Sequence, residues 1–282
     1  MKSMGNSYKK NLVKILLTIF MAALSITMIL PFVWMLSASF KPDNEVFEFP
    51  IRWIPKTFTF ANYVKVWVSR NFPFTIFFMN SAKVTTLGLI GEVFTSALAG
   101  YAFAKIKFKG RDVAFLIYIS TLIFPAQMML IPRFVMFREM GIYNTHWALI
   151  LPGMFTAFGT FMLKQYFSTI PDELSDSARM DGANHFMILT RIVIPLSTAA
   201  ISALIIFQFV SLWNQYEAPL VYLRDKKLAT IPLGLTYLKD ENATSYAATM
   251  AASVCSLMPI FIVFFAFQKQ FVQGIATSGL KE

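Results

Sequence analysis

The stretch ILLTIFMAALSITMILPFVWMLSASF runs from Ile15 to Phe40 without one charged side chain. A helix of about 20 apolar residues crosses the hydrocarbon core of a bilayer, and a run of this length reads as such a span. Inside lipid every backbone N–H and C=O needs a partner within the protein, so helix is the conformation open to it. The same reasoning applies to five further apolar runs, at about Phe78–Ala104, Val113–Phe134, Trp147–Tyr166, Ile192–Trp213 and Ala247–Phe267. The expected fold is an all-α membrane protein of six transmembrane helices. Residues 1–14 form a short N-terminal segment and residues 15–282 a single transmembrane domain. Pro31, Pro125, Pro152 and Pro259 fall inside these runs, where neighbouring helices can satisfy the freed carbonyls.

Composition agrees. The chain is 56% hydrophobic and 14% charged, against about 25% charged in soluble domains. The net charge of +10 is spread between apolar runs instead of along a stripe, which argues for topology and against a nucleic-acid partner. Lys9, Lys10 and Lys14 precede the first run like the n-region of a secretion signal. Its apolar part exceeds the 7–15 residues of such a signal, so a retained helix with a cytoplasmic N-terminus is expected. The short connection KIKFKGRD holds Lys105, Lys107, Lys109 and Arg111, which places the far end of the second span on the cytoplasmic side as well. An even number of spans then returns the C-terminus there. Cys255 stands alone, and His146 and His185 have no clustered companions, so neither a disulfide nor a metal site is expected. Asn242-Ala243-Thr244 matches a glycosylation sequon, a pattern that chance often produces.

Between the fourth and fifth runs lies PDELSDSARMDGANHFMILTRIVIPLS, from Pro171 to Ser197. Pro171 suits the first position of a helix, where its missing N–H costs nothing. Asp172, Glu173 and Asp176 then lie near the positive end of the helix dipole. Asp181-Gly182 ends that helix, since Gly accepts the left-handed conformation, and a second short helix spans about Ala183–Thr190. A plain surface helix–turn–helix would satisfy this local physics. The small residues Ser177, Ala178, Gly182 and Ala183 around the turn point further, to close approach of another backbone.

In this segment Asp176-Ser177-Ala178 stands where the EAA loop of ABC importer permeases has Glu-Ala-Ala. Asp181-Gly182-Ala183 matches its Asp-Gly-Ala, and Ile192-Val193-Ile194-Pro195 its closing Ile-x-Leu-Pro. Asp for Glu keeps the charge, and Ser for Ala keeps the size. The chain also resembles carbohydrate-uptake permeases of the maltose-permease type in GYAFAKIKFKGR, LWNQYEAPLVYL and FVQGIATSGLKE. The resemblance implies a type I ABC importer fold with the coupling loop at 168–191 on the cytoplasmic side. Glu173, Asp176 and Asp181, with Arg179, would pair across a wet rim against a separate ATPase subunit while Ala178 and Gly182 pack at its centre; Ser177 and Ala183 complete the coupling residues. It implies a non-catalytic chain without a cofactor of its own, ATP and Mg being bound by the partner ATPase dimer. The sequence contains no G-x-x-x-x-G-K-[ST] phosphate loop. Further implied partners are a second homologous permease, an extracellular solute-binding protein and membrane lipid, in a bacterial or archaeal cytoplasmic membrane. The C-terminal tail is implied to touch the ATPase, and the loop Tyr216–Tyr246 the binding protein.

The expected cargo is a sugar or oligosaccharide. Glu92 is an acid in mid-span, where ionisable groups are costly and usually functional; it could accept sugar hydroxyls, pair with the partner subunit or face a water cavity. Lys83 lies half a turn out of phase with it on a helix, so the two should not pair. Asn214, Gln215 and Tyr216, next to Trp213, combine amides with aromatic faces, as sugar recognition requires; an interfacial aromatic belt would also place Trp and Tyr there. Ser96, Gly100 and Ala104 recur every fourth residue and read as a packing face. Other cargo (peptides, amino acids, polyamines, phosphate compounds) is the alternative within the same class. An ion-coupled secondary transporter would show acids in several spans and a repeat, neither of which is visible.

Overall fold

The computed structural model describes residues 2–69, 73–241 and 245–278, with side chains for 11–69, 73–238 and 245–270. The Asn242-Ala243-Thr244 sequon lies outside the described residues, as do the end of the C-terminal tail and all its side chains. In chain order the helices are α1 (Lys2–Ser39), α2 (Ala61–Val68), α3 (Phe74–Lys105), α4 (Arg111–Ser120), α5 (Leu130–Glu139), α6 (Trp147–Gly153) and α7 (Ala157–Phe167). They continue with α8 (Asp172–Met180), α9 (His185–Ile188), α10 (Ile194–Leu196), α11 (Thr198–Trp213), α12 (Glu217–Tyr222), α13 (Ile231–Glu241) and α14 (Tyr246–Ser278). No strand occurs among the described residues.

Four stretches are long and apolar enough to cross a membrane as they stand: Asn11–Ser39, Phe74–Lys105, Trp147–Phe167 and Tyr246–Gln270. Two bent pairs bring the number to six if each is one span. The third run is therefore not the continuous helix expected over Val113–Phe134. It turns by 94° between Arg111–Ile123 and Ala126–Glu139. Pro125 clashes with helical geometry in the residue before it, and Phe124 goes extended at ψ 120. The fifth run needs the same correction. Its expected start, Ile192–Leu196, belongs to an arm that meets Thr198–Trp213 at 82°, with the corner at Ser197. The fourth run passes the length test but is interrupted. Pro152 lies at the end of α6, and Thr156 is extended (φ −122, ψ 138) and restarts the helix by accepting the Gly159 N–H at 3.1 Å. Pro31 and Pro259, by contrast, stay within α1 and α14.

The chain divides into two compact units. The first comprises Met1–Phe72 with Leu238–Cys255. Here Asp43 accepts the Ala247 N–H and the Ser245 hydroxyl, both at 2.9 Å, placing a carboxylate at the positive end of α14. Asn62 donates to the carbonyls of Ser39 and Lys41 at 2.9 and 2.8 Å, satisfying backbone groups left open where α1 ends. Of the spanning window of α1, 0% is buried within the chain.

The second unit comprises Pro73–Tyr237 with Ser256–Glu282 and is organised around α3. A Cβ on Gly100 would lie 3.0 Å from the Lys164 backbone nitrogen, and one on Gly159 would strike the Ser96 hydroxyl. Only bare glycine backbone permits this approach of α3 and α7, and the small-residue face of α3 is used for it. Trp213 corrects the belt expectation. It is 3% exposed, donates its indole N–H to the Ser256 carbonyl at 2.9 Å, and stacks on Phe209. A ring so enclosed does not face lipid.

Candidate functional site

The connection from α7 to α11 is built around α8. Pro171 stands just ahead of the helix, at the N-cap position but with no side-chain capping bond, at φ −56 and ψ 136, one residue earlier than expected. Asp172 and Glu173 occupy the first turn and Arg179 the last, each matching the sign of its helix end. Termination occurs at the expected glycine. Gly182 has φ +84, the Ala183 N–H reaches back to the Ala178 carbonyl at 2.9 Å, and the Gly182 N–H to Arg179 at 3.0 Å. This paired 6→1 and 5→2 arrangement satisfies the open carbonyls of α8 and fixes the exit direction of the chain. Asn184 then caps α9 by accepting the Met187 N–H at 2.8 Å. The second short helix does not stop at Thr190. It runs through a π turn over Leu189–Val193 into α10.

The faces of α8 differ sharply. Ser175 is buried, and Ala178 and Ala183 pack half-buried against the chain's own core of Phe167, Ile170, Ile188 and Leu189. The Ala178 methyl thus meets the chain's own core and supports the loop from within. Glu173, Asp176, Ser177, Asp181 and Gly182 are exposed, and a Cβ on Gly182 would meet nothing within 4 Å. Arg179 pairs with Asp176 at 3.0 Å on the same helix, a link between exposed groups worth only a few tenths of a kcal/mol. Beside this rim Met180 is 90% exposed, Phe186 60% and Leu174 44%. Sequence pattern does not single out these three, because apolar residues are unremarkable in so hydrophobic a chain.

A polar cleft of ≈ 280 Å³ separates α8 from the end of α3, with Lys105, Lys107, Asp172, Ser175, Arg179 and His185 among its walls. Lys105 reaches across to Asp172 at 2.6 Å. The ammonium beside it holds the Asp172 carboxyl below its ordinary value, mainly through the hydrogen bond and against a smaller opposing effect of burial. A carboxyl with a depressed pKa contributes stability above its unfolded value and loses it as pH falls through the folded one, so this pair is complete at neutral pH. Asp172 is 69% exposed, so solvent screens much of that contribution.

The sugar-pathway candidates lie on separate elements. Glu92 is 0% exposed in the middle of α3 and accepts a hydrogen bond from the Thr156 hydroxyl. Thr156 in turn caps α7, so the carboxylate braces the break in the fourth span. Asn214, Gln215 and Tyr216 form the turn from α11 to α12, where Asn214 donates to the Val210 carbonyl at 3.0 Å and Tyr216 is 39% exposed. A larger groove of ≈ 570 Å³ is lined almost wholly by hydrocarbon, including Ile90, Phe94, Ile201 and Phe209. It offers a sugar almost no hydrogen-bonding partners. Among the described residues no three His, Cys, Asp or Glu side chains gather as metal ligands would.

Residues 92–277 match the family model of the binding-protein-dependent transport system inner membrane component. The chain belongs to this family. The curated relatives of this inner membrane component include the arabinooligosaccharides transport system permease protein of Halalkalibacterium halodurans. That protein is 32% identical over 268 residues, covering 94% of this chain and 96% of its own. The lactose transport system permease protein of Rhizobium radiobacter is 30% identical over 250 residues, covering 89% and 90%. Among solved structures, a bacterial ABC transporter involved in import of the acidic polysaccharide alginate superposes with a TM-score of 0.80. It is 26% identical and covers 93% of this chain and 97% of its own. The chain is thus the permease component of an ABC importer, a multi-pass membrane protein with the fold of a known transporter.

Proposed function

We propose that this permease forms, with a second homologous permease, the pathway for a sugar or oligosaccharide, and that residues 168–191 couple it to a separate ATPase dimer. The observation that carries the coupling reading is the knob at the end of α8. Helix α8, closed at its C-terminus by the Gly182 turn, presents Leu174 and Met180 to solvent, and α9 beyond the turn presents Phe186, all within a charged rim. Apolar anchors ringed by polar groups are the anatomy of a protein-binding surface. Lys105 and Lys107 line the same cleft as Asp172, so the basic connection and the coupling loop share one side of the membrane. The density of positive charge there favours the cytoplasmic side, with both termini on that side too. ATP and Mg are then bound by the partner, the chain itself is non-catalytic, and an extracellular binding protein delivers cargo from the opposite face.

The sugar assignment rests on the relatives named for arabinooligosaccharides and lactose. A relative named for sn-glycerol-3-phosphate, 32% identical over 242 residues, keeps phosphorylated cargo as the second reading. For the coupling, a cysteine at exposed Ser177 should form an ATPase cross-link in the assembled transporter. Absence of that cross-link across a scan of cysteines in the ATPase cleft would sink the assignment. For the path, Tyr216 and Asn214 are placed at the mouth, while Glu92 meets cargo only when the junction of α6 and α7 opens. Tyr216→Ala should raise the half-saturating sugar concentration about tenfold, since one lost stacking or hydrogen-bonding contact costs about 1–1.5 kcal/mol. Glu92→Gln should slow uptake; wild-type rates in both would remove these residues from the path.

A further inference from the structure

Spans four and five are joined covalently to the coupling loop; α3 is not. We propose that Lys105 is the positioning residue that fastens the end of α3 to that loop, so that the loop's displacement is delivered to the second span as well. The proposal rests on the coupling reading above.

The geometry is a clasp. Lys105 ends α3, and its ammonium donates to the Ile170 carbonyl at 2.5 Å and to Asp172 Oδ1 at 2.6 Å. Those two acceptors flank Pro171, at the point where the chain enters α8. The Lys105 side chain is 2% exposed. An ammonium withdrawn from water and then stripped of its acceptors is strongly disfavoured, so the clasp should persist while α8 moves. A second tie lies one turn back on α3, where the Tyr101 hydroxyl and His185 Nδ1 share a hydrogen bond at 3.0 Å. His185 opens α9, the exit arm of the loop. Thus α3 grips the loop on both sides of the Gly182 turn, and Ala97, Tyr101, Phe167, Ile188 and Leu189 fill the space beneath as one core. Because Gly100 meshes with the backbone of α7, a push at α8 moves α3 and α7 together instead of shearing them.

The test uses the complete transporter in proteoliposomes, with both permeases, the ATPase pair and the binding protein. Sugar uptake and ATP hydrolysis are measured in the same vesicles. Lys105→Met should lower sugar moved per ATP about tenfold or more, within the usual range of site-to-site coupling, while hydrolysis continues. Lys105→Arg, which keeps the charge and can reach both acceptors, should recover most of the ratio. Asp172→Asn, which leaves the Ile170 carbonyl bond in place, should lower it about fivefold, at the low end of that range. A residue that only stabilised the fold would reduce uptake and hydrolysis in proportion, and an unchanged ratio in Lys105→Met would overturn the clasp. If that variant does not assemble, Asp172→Asn decides, and a wild-type ratio there has the same consequence. The Ser177 cross-link separates the two readings. Its absence from the cysteine-bearing transporter with Lys105 intact would overturn the coupling assignment and the clasp with it, whereas its presence with an unchanged ratio would overturn the clasp alone.

Discussion

Met180→Asp is expected to leave the permease folded and to abolish productive attachment of its ATPase. Met180 closes α8 and is 90% exposed, so the fold loses almost no burial when it is replaced. In a partner's pocket the same side chain would be fully desolvated. Central interface anchors of this kind cost about 2–4 kcal/mol when removed, which is roughly 30- to 900-fold in affinity. A carboxylate adds the penalty of an unpaired charge in an apolar pocket. It also sits at the negative end of the helix dipole, an effect of only a few tenths of a kcal/mol that Met180→Gln would control for. The check is equilibrium binding of the ATPase to the purified permease pair, alongside uptake. Unchanged affinity in Met180→Asp would show that the knob is not the anchor.

Gly182→Val should have the second large effect, for a different reason. At φ +84 a β-branched residue is strained, at about 1–2 kcal/mol. The surrounding space is otherwise open, with nothing of this chain within 4 Å of an added Cβ. The permease should therefore survive, with a modestly lower melting temperature. If an ATPase wall closes over the turn, the added isopropyl group strikes it, and uptake should fall at least about fivefold, as for overpacking worth about 1–3 kcal/mol. Gly182→Asn separates strain from contact, since Asn tolerates the left-handed region while still adding bulk. Should Gly182→Val retain both uptake and substrate-stimulated hydrolysis, no partner lies against that turn.

Local chemistry made much of this site legible before any coordinates. The bounds of α8, the left-handed Gly182 and the acidic first turn all follow from rules that act within a few residues. The bends do not. Pro31, Pro125, Pro152 and Pro259 look alike in sequence, yet Pro31 and Pro259 continue through long helices while Pro125 marks a right-angled turn. Which outcome follows depends on what neighbouring helices offer the freed backbone groups, and that information is spread over the whole chain. The same holds for side chains. Glu92 finds Thr156, Trp213 finds the Ser256 carbonyl, and Lys105 finds Ile170. Each partner lies dozens of residues away, and none is implied by spacing. The aromatic at position 213 therefore suggests lipid or sugar in one dimension and proves to be packing in three.

The unburied spanning window of α1 carries a consequence for how such a chain is made. Lipid tails are as apolar as leucine, so the bilayer accepts this helix without any neighbour and insertion exerts no pull toward the rest of the fold. Apolar surface that α1 leaves uncovered is therefore at rest in lipid, and any helix that settles on it must be held by close packing and hydrogen bonds instead of by exclusion of water.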